Sequence, residues 1–244
     1  MQNDYAMGYR DLYQNHWWWR ARERAILEEL ARLRIRPDGT RRILDIGCGD
    51  GLLFDCLAPF GDVWGVEADP ATLSEHGKWR QRIFQRPFDG TFLPDEKFDL
   101  ILMLDFLEHL PDPESALRHA KTLLRPDGRM LMTVPALNAL WTTHDVLNHH
   151  YVRYDRRSFS ELAAHSGVVL DRLRYFFHWT CPVKLLIRLR ESVAGTAARP
   201  PAVPPRLVNQ FCYALSCMEQ KMLSWLDLPF GSSLMAVGTP KPGT

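Results

Sequence analysis

The stretch "ILDIGCGDG" (43–51) sets a short apolar run directly ahead of three alternating glycines, Gly47, Gly49 and Gly51. A strand that feeds a glycine loop, with a helix beginning just after it, lets the backbone bend sharply and come close to a ligand. Roughly twenty residues further on, Glu67 ends a second apolar run, where a carboxylate can hydrogen-bond a ribose diol. The charges of the loop select among nucleotides. Asp45 precedes it and Asp50 lies within it, and two carboxylates repel a pyrophosphate that needs an uncluttered helix N-terminus. The spacing is G-x-G-x-G, without the third glycine position of a dinucleotide loop. S-adenosylmethionine (SAM) presents a ribose and adenine with an ammonium and a sulfonium in place of phosphates, so it suits this loop better than NAD(P), and an NAD(P) oxidoreductase is the disfavoured reading. A merely structural glycine turn is the plain alternative.

Outward from the loop, residues 41–135 alternate short apolar runs with helical patterns, as a parallel sheet with crossover helices does. The runs "RRILDI", "VWGVEA", "FDLILMLD" (98–105) and "RMLMTVP" (129–135) read as strands, the last two apolar enough to be covered on both faces. Asp112 to Leu124 reads as a helix closed by the turn "RPDG". "SFSELAAHSG" (158–167) reads as a helix with a Ser158/Glu161 capping box and a stop at Gly167. "VVLDRLRYFF" and "SSLMAVGTP" read as two more strands, the second a hairpin partner in the sheet. Tyr13 to Arg36 reads as a helix rich in tryptophan and arginine. "PVKLLIRLRESV" and "RLVNQFCYALSCMEQKMLSWLDL" read as helices separated by the linker "ARPPAVPPR". The expected architecture is a single α/β domain with a Rossmann-like sheet, mostly parallel with an antiparallel last strand, and helices on both faces. Its parts are an N-terminal helical lid (1–40), a SAM-binding core (41–180), a helical insertion (181–230) and a last strand with its tail (231–244).

Composition narrows the partners. In 244 residues, 30 Lys+Arg oppose 29 Asp+Glu, a net charge of +1 that advertises neither nucleic acid nor an anionic membrane as a global partner. Five cysteines without a C-x-x-C pair fit a reducing cytosol. The opening residues lack the apolar core of a signal peptide, and no run nears the roughly 18–20 apolar residues that span a bilayer. The expectation is a cytoplasmic protein, or one peripheral to the inner face of the membrane. Contact of that kind would be local: Val208, Phe211, Leu215, Met218, Met222 and Leu226 form one stripe at helical spacing, and Lys184, Arg188 and Arg190 accompany the apolar body of the preceding helix. The stripe equally fits packing on the domain or an oligomer interface.

"ILDIGCGDG", "VWGVEADP", "FDLILMLDFLEHLPDP" and "LLRPDGRMLMTVPA", in that order over residues 41–136, resemble the motif series of class I SAM-dependent methyltransferases. The resemblance implies that Asp45, Gly47, Cys48 and Gly49 hold the methionine end of SAM and that Glu67 holds the ribose hydroxyls. It further implies that Asp89 accepts from the adenine amino group and that Leu104 lines the pocket. "NHWWWRARERAIL", "LWTTHDVLNHHYVRY" and "LDLPFGSSLMAVGTPK" are similar to a bacterial subgroup of these enzymes associated with saccharides or lipid-linked intermediates. That subgroup has two arginines before the loop tyrosine, whereas here Val152 and Arg153 precede Tyr154.

Methyl transfer is an in-line displacement that needs alignment and, for a hydroxyl acceptor, removal of a proton. "DFLEHL" and "THDVLNHHYVRY" follow successive strands, and ligands of open α/β sheets bind beyond such carboxyl ends. His109 and His150 are the candidate bases; Trp18, Glu108, His144, Arg153 and Tyr154 are the candidate acceptor contacts. His109 can instead shape the cofactor pocket, His144 with Asp145 can brace the loop, and the tryptophans can clamp their helix rather than form a lid. Asp105, Glu108, His109 and His144 could supply mixed O/N ligands to a divalent ion, which stays an alternative; no rigid ligand spacing such as H-x-x-x-H supports it, so no metal is assigned. The expected activity is methyl transfer to an oxygen of a small-molecule, saccharide or lipid-linked acceptor, with a catalytically inactive SAM-binding partner protein as the alternative.

Overall fold

The computed structural model describes residues 3–194, 201–223 and 225–241, so the start of the proline-rich linker lies outside the described residues. Seven strands form one sheet: β1 (Arg41–Ile46), β2 (Gly61–Glu67), β3 (Ile83–Gln85), β4 (Phe98–Leu104), β5 (Leu124–Pro135), β6 (Val168–Phe176) and β7 (Ser233–Pro240). Their order is β3-β2-β1-β4-β5-β7-β6. The pairs β1/β2, β1/β4, β2/β3 and β4/β5 are parallel, and the last strand runs antiparallel, as expected. The chain winds outward from β1 to β3 and then returns to β4 beside β1. This reversal is a topological switch point, and open α/β sheets take ligands past the carboxyl ends of the strands at such a point. In β4 every side chain but Asp99 is buried, which explains the nearly unbroken apolar sequence of that strand.

The helices are α1 (Asn3–Asn15), α2 (Trp17–Arg32), α3 (Phe54–Leu57), α4 (Pro113–Thr122), α5 (Thr143–Leu147), α6 (Arg156–His165), α7 (Thr180–Ala194) and α8 (Arg206–Leu223). Three details correct the sequence reading. The tryptophan-rich helix is broken at His16, whose Nδ1 accepts from Trp18 N at 3.1 Å and so starts α2 afresh as its N-cap. At the other end of α2, Arg34 (φ 56) takes the left-handed position of a Schellman motif, its N–H donating to Ala31 O and that of Ile35 to Leu30 O. "RPDG" does not close α4, which ends at Thr122. It is an excursion within β5, where pairing jumps from Phe98–Leu124 to Leu100–Arg129, and Pro126 has no N–H to give the ladder. The capping box of α6 is Asp155 with Ser158, not Ser158 with Glu161; Glu161 instead accepts from Arg157 Nε at 2.9 Å. Gly167 (φ 71) stops α6 as expected.

Two compact units share the chain. One comprises residues 1–36, 136–150 and 175–233; the other comprises 37–135, 151–174 and 234–244 and carries the sheet. The helical unit has an aromatic centre: Trp19 meets Tyr9 and His16 edge-on, and Trp17 and Trp18 pack on Phe177. Among the described residues, no helix is long and apolar enough to cross a membrane.

Candidate active site

In the sheet unit, the glycine loop leaves β1 with all three glycines at positive φ: Gly47 at 74°, Gly49 at 55° and Gly51 at 69°. Two of them are needed for different reasons. A Cβ on Gly47 would lie 2.5 Å from Phe106 Cδ2, so the loop can pass the segment after β4 only without a side chain. A Cβ on Gly49 would meet nothing within 4 Å, so the backbone there borders open space. Gly47 N and Cys48 N both donate to Val66 O, at 2.8 and 3.3 Å, which ties the loop to the end of β2.

Glu67 holds the loop. Its Oε2 accepts from Gly49 N at 2.9 Å and its Oε1 from Asp69 N at 2.8 Å. Burial raises its pKa above the usual glutamate value despite these two bonds. A carboxylate has about four lone-pair sites, so each oxygen keeps acceptor capacity for a ligand hydroxyl. Asp45 is buried at the end of β1, and Asp50 accepts from Ser74 N at 3.0 Å. Burial, followed by the charges of Asp45 and Glu67, pushes the Cys48 thiol well above its ordinary range, so it stays protonated. Three carboxylates around a glycine loop with open space before Gly49 form a donor set that fits an ammonium and a ribose. They do not fit a diphosphate.

Asp89 lies four residues beyond β3 on an exposed turn, where its Oδ1 accepts from Thr91 N at 2.8 Å and Thr91 Oγ at 2.6 Å. Those bonds hold its pKa below the ordinary value. Leu104 is buried as the last residue of β4, and Asp105 beside it adopts φ 51°, a costly conformation for a non-glycine residue and one that collects at functional sites. Leu107, Glu108 and His109 then form a single 3-10 turn rather than the start of a longer helix. Glu108 is fully buried, its carbonyl accepts from Tyr151 N at 2.8 Å, and His109 is exposed. Arg153 and Tyr154 are both buried. The Tyr154 hydroxyl has no hydrogen-bond partner among the described residues, and burial, with the charge of Glu108 second, pushes the phenol pKa up. The phenol therefore stays a neutral donor at any ordinary pH.

In the helical unit, α5 carries the other polar cluster. Asp145 is fully buried; its Oδ2 accepts from Thr142 N at 2.9 Å in a capping box, and its Oδ1 lies 2.8 Å from His150 Nδ1. A carboxylate on Nδ1 fixes the tautomer that leaves Nε2 as the acceptor, the arrangement of an oriented general base. His144 is grouped with Asn148, whose Nδ2 donates to His144 O at 2.8 Å. His149 is exposed at φ 57°. Trp18 stacks on Phe177 with ring centroids 5.9 Å apart. The sheet unit thus gathers Asp45, Gly47, Cys48, Gly49, Glu67, Asp89, Leu104, Glu108, His109, Arg153 and Tyr154, and the helical unit holds Trp18, His144 and His150. Sequence reading missed two participants: Phe106, which sets the steric demand at Gly47, and Asp145 as the orienter of His150. The D-x-x-x-x-H spacing was the available signal for the second.

A family model described as "Methyltransferase domain" matches residues 18–173. The chain belongs to that methyltransferase-domain family. Among curated proteins it is similar to a "Ubiquinone biosynthesis O-methyltransferase" of Stutzerimonas stutzeri, 29% identical over 155 residues covering 57% of this chain and 66% of that one. A protein of the same description from Azorhizobium caulinodans is 37% identical over 106 residues, 41% and 42% of the two chains. The match therefore spans less than two thirds of these relatives' lengths. A solved structure described as a SAM-dependent methyltransferase from Archaeoglobus fulgidus superposes with a TM-score of 0.56, at 17% identity, over 88% of this chain and 93% of that one. At that identity the likeness speaks for the fold.

Proposed function

We propose that the chain is a SAM-dependent methyltransferase that transfers the methyl group to a hydroxyl oxygen of a small-molecule acceptor. The carrying observation is Glu67, a half-buried carboxylate that ties down Gly49 N and Asp69 N while keeping lone pairs for a ribose diol, in a loop too acidic for pyrophosphate. Bound SAM supplies an electrophilic methyl on a sulfonium. In this reading Asp45, Gly47, Cys48 and Gly49 hold its methionine end, Leu104 lines the pocket, and Asp89 takes the adenine amino group once its turn with Thr91 yields an oxygen.

His150, oriented by Asp145, removes the proton of the acceptor hydroxyl through Nε2, and His109 is the second candidate for that task. Tyr154 donates its hydroxyl to an acceptor oxygen, with Glu108, Arg153, His144 and Trp18 shaping the acceptor side. The relatives' description as ubiquinone biosynthesis O-methyltransferases favours a hydroxylated precursor of a quinone; saccharide and lipid-linked hydroxyls are the other acceptors in view, and a lipid-linked one would bring the protein to a membrane from the cytoplasmic side. The chain is read as one functional enzyme in which residues 41–180 hold the cofactor and supply most of the acceptor contacts, with Trp18 added by the N-terminal helical part.

Incubating the protein and methyl-labelled SAM with extract of its own host, then separating small molecules from macromolecules, tests the reading. Label is expected in the small-molecule fraction with the carbon shift of a methoxy group. Label confined to protein or nucleic acid contradicts the proposal.

A further inference from the structure

Helix α8 has its polar face inward. Its buried side chains are Asn209, Ser216, Glu219 and Gln220, and each is committed to a backbone or ring group of the same unit. Asn209 accepts from Trp17 N at 2.8 Å and donates to Asn15 O at 2.7 Å, joining the end of α1 to the start of α2. Ser216 accepts from Trp179 Nε1 at 3.0 Å. Glu219 accepts from His178 N at 2.9 Å and Trp179 N at 2.6 Å, an anion placed where α7 begins. Gln220 donates to Ala21 O at 3.2 Å.

A helix whose polar stripe satisfies other helices' ends must turn its apolar stripe outward. Val208, Phe211, Met218 and Met222 are exposed, Phe211 by 66%. On α7, Leu186 is 60% exposed and Leu189 62%. Burying such side chains is favourable, so a face this apolar left toward water marks a contact surface.

Charge selects the occupant. The acids of the two helices are both engaged by the protein: Glu219 as above, and Glu191 by Thr143 N at 2.9 Å and Thr143 Oγ at 2.8 Å. On the two helices the exposed charges are Arg188, which also donates to Asn138 O at 2.7 Å, Arg190, Arg206 and Lys221, all positive; just beyond α8, Trp225 and Asp227 are both exposed. Aliphatic, aromatic and basic side chains together match the headgroup boundary of an anionic bilayer. A second copy of the chain would set these cations against its own.

We propose that α7 and α8 form the surface by which this protein docks on an anionic phospholipid membrane without crossing it. The inference is independent of the methyltransferase reading, and its test uses neither SAM nor acceptor. The full chain is sedimented with phosphatidylcholine vesicles, with and without phosphatidylglycerol. Pelleting is expected only with phosphatidylglycerol, and is lost in high salt. Leu186→Glu with Phe211→Glu should abolish it, the exposed positions leaving the melting temperature unchanged. Arg190→Gln with Arg206→Gln should weaken it by about fivefold per charge removed. Absence of pelleting, or pelleting that neither pair of substitutions reduces, overturns the proposal. A concentration-dependent dimer without vesicles, abolished by Leu186→Glu with Phe211→Glu, assigns the face to a second copy and overturns it equally.

Discussion

Glu67 joins local architecture to chemistry: the same carboxylate that fixes Gly49 is the one proposed to meet the ribose. Its raised pKa gives a signed prediction. Protonation removes the acceptor, so SAM affinity measured by calorimetry should fall as pH drops through a midpoint above 4.5, the ordinary glutamate value. Affinity that holds steady to lower pH would separate Glu67 from the cofactor. Asp145 makes a kinetic prediction. Asp145→Asn can hold His150 in the wrong tautomer, so kcat should fall by about 10²-fold or more, with SAM binding within about twofold of wild type. Unchanged kcat would return Asp145 to bracing its loop. Tyr154 makes a prediction with opposite signs in stability and function. Its hydroxyl is buried without a partner, so Tyr154→Phe should raise unfolding stability by about 1 kcal/mol while raising the acceptor KM. A loss of stability would mean that the hydroxyl is already satisfied.

At the scale of elements, the break between α1 and α2 carries a pH dependence. Burial pushes the His16 pKa down to about 4 from 6.5, and the neutral ring it favours is the form whose Nδ1 can cap Trp18 N. A depressed histidine contributes stability above its unfolded pKa and loses it as pH falls. Thermal stability should therefore decline between pH 6.5 and about 4, and His16→Asn, which keeps a cap but cannot titrate, should flatten that window. An identical decline in the variant would place its cause elsewhere.

The strands were readable because parallel, doubly covered segments must be apolar throughout, as "FDLILMLD" is. Helix ends were less so: the sequence offers two acids near α6, and only the fold shows that Asp155 accepts from Ser158 N while Glu161 turns to Arg157. The face of α8 was not readable at all. Periodicity reveals that Val208, Phe211, Met218 and Met222 share a side, but the inward direction was decided by helix ends far away in sequence, at Asn15, Trp17 and His178.

At the scale of the whole molecule, the strand order explains why residues so far apart in sequence can serve one task. The reversal between β1 and β4 sends the glycine loop and the Asp105–His109 segment out of neighbouring strand ends. Four ordered motifs sufficed to anticipate that arrangement and the family, since each motif sits at such an end. The proposed acceptor side was less legible, because its candidate residues lie on short polar segments where histidine serves several purposes. That Asp145 belongs with His150 rather than His144 depends on the capping box of α5, a five-residue helix too short to announce itself by periodicity.

The central claim is that the acidic glycine loop binds SAM. Calorimetric titration of the protein with SAM and, separately, with NAD tests it most directly, with Glu67→Ala and Gly47→Val as companions. The account predicts one-to-one binding of SAM, none of NAD, and sharply weakened SAM binding in both variants, Gly47→Val because its Cβ would press on Phe106. Binding of NAD without SAM, or normal SAM binding by both variants, would contradict it.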